Sequence, residues 1–79
     1  MKFIVQESTY MEQGTEKAFA VHDQYNKTYY IPRSQVAVID TIKPQTKYDM
    51  AKLIIEVPNW IIKRNNIPVF NITEMALDR

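Results

Sequence analysis

The chain has 79 residues, of which 46% are apolar or aromatic and 24% charged, with a formal net charge of +1 and no cysteine. That length holds one small domain with a marginal core, and the balance is that of a chain that folds. It excludes a disulfide framework and a thiolate metal site, and so small a net charge does not by itself announce a nucleic-acid binder.

At the N-terminus only Phe3, Ile4 and Val5 stand in an apolar row before Gln6 and Glu7. This is far short of a signal-peptide core or a membrane span, so the expected setting is cytoplasmic, with no membrane partner. The stretch "KFIVQES" reads as a first strand, and Gly14, the one glycine, marks the link from that strand to a hairpin. In "KAFAVH" Phe19 and Val21 fall on one face and Ala18, Ala20 and His22 on the other, the period of a half-buried strand. "DQYNK" is rich in turn formers and "TYYI" resumes with β-branched and aromatic residues, so residues 17 to 31 read as the hairpin. Pro32, with no N–H to give to a ladder, ends its second strand.

From Ser34 to Ile39 β-branched residues recur at alternate positions, which predicts a third strand. Residues 40 to 50 contain Pro44 and little periodicity and are expected to form a long loop that serves mobility or contact. "AKLIIEV" then alternates with Leu53, Ile55 and Val57 inward. At Pro58 the period changes to that of a short helix, and Asn65-Asn66 suits a left-handed stop. Beyond Pro68, "ITEMALDR" is expected to add a C-terminal turn or short helix near Thr73. The expected architecture is α+β and mainly β: about five antiparallel strands in a strongly bent sheet or small open barrel, closed by one short C-terminal helix that carries Trp60. A single domain spans residues 1–79, with an N-terminal strand and link (1–16), a core (17–67) and a tail (68–79).

Little in the sequence points to catalysis. His22 is the only histidine, and a single His-Asp pair with Asp23 falls short of the three or four ligands that zinc uses. Ser34 has no nucleophile elbow around it, and one glycine cannot build a phosphate-binding loop. The acids Glu7, Glu16, Asp40 and Glu56 are scattered through a body too small for a deep cleft. The expectation is a protein without enzymatic activity, cofactor or metal.

Contact is the better-supported role. From Gln24 to Asn66 seven basic residues face three acidic ones, which leaves +4 in the middle of the chain. Tyr25, Tyr29, Tyr30, Arg33, Tyr48, Lys63 and Arg64 lie within it. In "TYYI" one tyrosine must point to each face, so Tyr29 or Tyr30 is exposed beside Arg33. Such a pair suits a protein interface and also a stacking platform for single strands. Trp60 admits two readings, a core anchor that holds the helix on the sheet or a half-exposed ring that enters a partner.

"YYIPRSQV" followed by "IIEVPNWIIK" resembles small uncharacterised proteins of bacteriophages and integrated elements of Gram-positive bacteria. These share an aromatic residue, Ile-Pro-Lys/Arg-Ser-Gln-Val and, downstream, Val-Pro-x-Trp-Leu with a basic helix end. The matching positions here are Tyr30 to Val36, then Val57, Pro58, Trp60, Ile61 in place of the leucine, and Lys63. The similarity covers residues 17 to 67. It implies a phage or mobile-element accessory protein, of a kind that binds and blocks or redirects host machinery, and it carries over no catalytic residue. The expected function is therefore binding of a host or phage protein, as an inhibitor of a defence or replication factor, through Tyr29, Tyr30, Arg33, Gln35, Lys63 and Arg64. The alternative is single-stranded nucleic-acid binding on the same aromatic and basic face. Apolar residues on both faces of several strands add the expectation of a symmetric homodimer.

Overall fold

The computed structural model describes residues 1–78 and contains β1 (Lys2–Gln6), α1 (Glu7–Glu12), β2 (Ala18–His22), β3 (Thr28–Pro32), a 3₁₀ turn (Arg33–Gln35), β4 (Ala37–Ile42), β5 (Lys52–Glu56), α2 (Asn59–Arg64) and β6 (Met75–Leu77). The strands form two antiparallel sheets, one in the order β4-β5-β1-β6 and one made of the β2–β3 hairpin. The sheets do not close into a barrel.

The alternation read from the sequence explains the layers. Phe3 and Val5 of β1, Leu53 and Ile55 of β5 and Met75 of β6 turn one face inward, and Phe19, Val21 and Ile31 of the hairpin meet it. Val57, Ile61, Ile67 and Ile72 close the core where chain crosses between elements. Phe19, Val21, Ile31, Ile55 and Val57 are wholly removed from solvent. At about 25 cal/mol per Å² of apolar surface, the burial of these inward faces against one another is the main favourable term of the fold.

Three expectations are corrected. Residues 7–12 coil into α1 instead of forming part of the link: the Glu7 N–H donates to Ala51 O at 2.9 Å, and the Tyr10 ring settles 5.1 Å from that of Phe19. The strand after Pro32 begins at Ala37, because Arg33–Gln35 turn first, and it runs on to Ile42, which shortens the expected loop from its front end. The C-terminal stretch forms β6 and not a helix, since β1 offers it a free edge and the Asp78 N–H continues the ladder to Lys2 O at 2.9 Å. Among the described residues there are thus six strands, in keeping with the expected mainly β, antiparallel α+β fold of about five, and α1 is a second short helix besides the one expected.

A turn of five residues joins β2 to β3. Asp23 Oδ1 accepts from the Tyr25 and Lys27 N–H groups, both at 2.9 Å, and Asn26 takes φ +66°, a left-handed conformation that asparagine tolerates. The same end of the hairpin is stapled to the approach of β6, where Asp23 bridges Ile72 and the Thr73 N–H donates to His22 O at 2.9 Å.

Candidate functional site

Helix α2 owes its position to fixed ends. Pro58 precedes it in extended conformation, and its carbonyl accepts from the Ile61 N–H at 3.1 Å. At the other end Asn66 takes φ +51°, and the Asn66 and Ile67 N–H groups donate back to Lys63 O (3.3 Å) and Ile62 O (3.0 Å). This left-handed stop satisfies carbonyls that the helix end would leave unpaired. Asn65 adds its side-chain Nδ2, which donates to Ile61 O at 3.0 Å. Ile61 and Ile67 are buried and set the rotation of the helix.

With Ile61 inward, residues 60, 63 and 64 are turned outward together, because positions three and four apart share a helix face. Trp60 is 52% exposed, which decides between its two readings in favour of the half-exposed ring over the core anchor. Lys63 and Arg64 follow it three and four residues on, both exposed, and as cations in the last turn they also suit the negative end of the helix. A shallow hollow of about 230 Å³ lies beside them, bordered by Met1, Asn59, Ile62 and Lys63. The result is an exposed aromatic ring and two cations on one short helix, with a small depression between that helix and Met1.

The other expected contact residues separate into different roles. Tyr30 is 55% exposed on β3 and Gln35 is exposed in the 3₁₀ turn, so both remain available. Tyr29 faces the opposite side, where its hydroxyl donates to Asp23 Oδ2 at 3.0 Å and Lys27 Nζ stands 5.4 Å from its ring centre. Burial, reinforced by the Asp23 carboxylate, pushes the Tyr29 phenol above its ordinary value. Arg33 serves the fold: Nε donates to Thr15 O at 3.1 Å, Nη2 to Gln13 O at 3.0 Å, and the guanidinium lies over the rings of Tyr10 and Phe19. Its donors clamp the link between α1 and β2. Lys63 and Arg64 are exposed on the same short helix as Trp60. Tyr25 and Tyr48, both strongly exposed, sit in turns away from regular structure.

The sequence did not single out a second surface, a groove of about 510 Å³ between the β1–β6 edge and residues 69–74. Ile4 and Ala76 contribute to its apolar lining, and Phe70, 78% exposed, stands at its side. Nor did the sequence couple His22 to Glu74, which meet through Nδ1 and Oε2, while the other carboxylate oxygen accepts from the His22 N–H at 2.8 Å and from the Thr73 hydroxyl. Among the described residues no group of three or more His, Cys, Asp or Glu side chains is arranged to hold a metal ion. The pair acts as a staple between β2 and the approach to β6.

These carboxylates make the fold acid-sensitive. At Asp23 the Lys27 N–H hydrogen bond outweighs the opposing effect of burial and, with those from Tyr29 and Tyr25, holds the carboxyl below its ordinary value. At Glu74 burial is the largest single influence and raises the pKa, but the hydrogen bonds from His22 and Thr73 together overcome it and the net direction is down. A carboxylate depressed in the folded state contributes stability that is complete above its unfolded pKa and is lost as pH falls through its folded pKa. The melting temperature is therefore expected to hold from neutral pH to about 5 and to fall below about 4. Circular-dichroism melts from pH 7 to 2 check this, and Asp23→Asn and Glu74→Gln, each less stable at pH 7, are expected to show smaller acid losses than the parent.

Compared with known protein families, with curated proteins and with solved structures, the chain matches none. No helix among the described residues is long and apolar enough to cross a membrane.

Proposed function

We propose that this chain is a non-enzymatic accessory protein of phage type, working in the host cytoplasm, that docks on a host or phage protein and thereby blocks or redirects it. The observation that carries the reading is Trp60, a large aromatic side chain left 52% exposed on a short helix with fixed ends that also carries two exposed cations. Tryptophan and arginine are enriched among the residues that dominate interface energies, and a helix whose ends are already fixed costs little backbone ordering when a partner covers it. The chemistry fits a partner with an apolar pocket for the indole and an acidic rim for Lys63 and Arg64. Tyr30 and Gln35 offer a further contact on the hairpin, and the resemblance of the "YYIPRSQV" and "VPNW" segments to phage proteins supports the provenance.

Affinity capture from host lysate with parent and Trp60→Ala baits tests the reading. The half-exposed ring predicts a stability change below about 1 kcal/mol for Trp60→Ala. Loss of a dominant contact of about 2 kcal/mol predicts roughly thirtyfold weaker binding of the captured protein. A folded parent bait that retains no protein, or a partner held equally by Trp60→Ala and by Lys63→Glu/Arg64→Glu, overturns the proposal.

The same three side chains favour one second reading, single-stranded nucleic acid stacked on Trp60 with its phosphates on Lys63 and Arg64. Trp60 is the only tryptophan, so its fluorescence reports directly on the site. Quenching by an oligonucleotide at low salt, weakening with a log–log slope of about −0.7 per neutralised phosphate, would replace the protein partner by a nucleic-acid strand.

A further inference from the structure

Strand β4 is an edge of the four-stranded sheet, and five of its six residues are exposed. Four of the six, Ala37, Val38, Ile39 and Ile42, are apolar, with Val38 47% and Ile39 48% exposed. Val38 pairs with Ile55, so it belongs to the core-facing side of the sheet, but the β2–β3 hairpin does not reach over it. Ile42 pairs with Lys52 and belongs to the outer side. An antiparallel strand ordinarily has at least one face covered, and this one has neither.

The ladder also shows which backbone groups face outward. The Val57 N–H donates to Met1 O and the Glu7 N–H to Ala51 O, so the odd-numbered residues of β5 turn their polar groups to β1 and the even-numbered ones to β4. Asp40, opposite Ile54, and Ile42, opposite Lys52, therefore bond to β5, and Thr41 between them points its N–H and C=O away from the sheet. In the single chain the Thr41 N–H donates to the Asp40 carboxylate at 2.8 Å, a local substitute for a strand partner, and the bulge between Val38 and Asp40 bends the edge before it.

We infer that β4 is the seam of a symmetric homodimer in which Thr41 of one copy pairs with Thr41 of the other, joining two four-stranded sheets into one of eight. Charge and register select this occupant. Thr41 can exchange both its bonds only with an outward-facing residue, and in the regular ladder after the bulge the outward positions are Thr41 and Lys43, so the two-fold axis passes through residue 41 or 42. An axis at Ile42 would set Asp40 opposite Pro44 and leave it without a cation in its row. Centred on Thr41, the pairing puts a threonine against a threonine and Asp40 against Ile42, with Lys52 of the second copy next in the same row. Each carboxylate then has a lysine within reach of a long side chain, and each N–H gives up Asp40 for a carbonyl of the second copy. Because paired residues share a face, both β2–β3 hairpins lie on one side, flanking a floor that includes Val38 of each copy. The same patch is buried twice, as an isologous interface requires.

Light scattering at micromolar concentration is expected to give twice the 9.3 kDa chain mass. Thr41→Pro removes an outward N–H that the bonds to β5 do not use, so it is expected to weaken the dimer about tenfold or more while the circular dichroism stays that of the parent. Ile39→Lys, at an exposed position of the single chain, is expected to do the same by charging the seam. The chain lacks cysteine, so a Thr41→Cys variant reports register cleanly: it is expected to oxidise to a covalent dimer. A mass of one chain throughout the dilution series overturns the inference, as does a dimer that survives both Thr41→Pro and Ile39→Lys, or one that Thr41→Cys fails to link.

Discussion

Phe19→Ala is expected to lower the melting temperature by about 15–30 °C, the result of losing about 3–5 kcal/mol from a small core. Phe19 is wholly buried, and its ring is where three parts of the molecule meet: the ring of Tyr10 from α1 at 5.1 Å, the Arg33 guanidinium at 5.9 Å, and the apolar layer formed with β1 and β5. A chain of this length holds about 4–12 kcal/mol in total at roughly 0.05–0.15 kcal/mol per residue, so one such deletion removes a large share of it. Neighbours cannot collapse into the space without unseating Arg33, which is tied through Gln13 O and Thr15 O to the link before β2. Urea melts of Phe19→Ala and Trp60→Ala side by side make the comparison internal. A large loss for the first and almost none for the second is the expected pattern, and comparable losses would mean that Trp60 carries core energy despite its exposure.

The period-two stretches of β2 and β5 were legible because alternation places their large apolar residues on one face, whereas the same alternation in β4 is left exposed. Phe19 with Val21, and Leu53, Ile55 and Val57, are buried as their spacing requires. The ends of α2 were legible as well, since proline and paired asparagines act through local backbone geometry. What escaped depends on contacts distant in sequence. Six residues of α1 are too few to display a helical period, and they coil because Tyr10 finds Phe19 and Glu7 finds Ala51. The three residues of β6 become a strand only because β1 has an unfilled edge.

The candidate site shows the same division. The composition of "WIIKR" announces a helix with a basic end, but three bulky apolar residues in a row do not say which one is left out. Rotation is decided by Ile61 and Ile67, and it excludes Trp60 from the core. Arg33 looks like a free cation in sequence because the carbonyls that receive its donors lie eighteen and twenty residues away. Thr41 is ordinary in sequence, and only the ladder shows that its backbone faces outward.

Gly14→Ala is expected to be at least as damaging as many core deletions, although it adds a single methyl group. Gly14 stands at φ +92°, in the region that residues with a Cβ avoid, at a strain of about 1–3 kcal/mol. The added Cβ would also lie 2.5 Å from Ala18 O, 2.8 Å from Ala20 N and 3.1 Å from Phe19 C. All three are backbone atoms of β2, so no side-chain rotation relieves the contact. The link must then move as a unit, and it carries the acceptors for Arg33 and the Gln13 carbonyl that receives the Ala20 N–H at 3.4 Å. Strain and clash together predict a loss of more than about 2 kcal/mol, read as a fall of roughly 10 °C or more in the melting temperature. Gly14→Asn separates the two causes, because asparagine tolerates a positive φ better than alanine but brings a Cβ to the same place. If the close approach to β2 dominates, Asn is as destabilising as Ala; substantial recovery with Asn would assign the effect to backbone conformation instead. A Gly14→Ala chain that melts within a few degrees of the parent would contradict both, and with them the position of the link against β2.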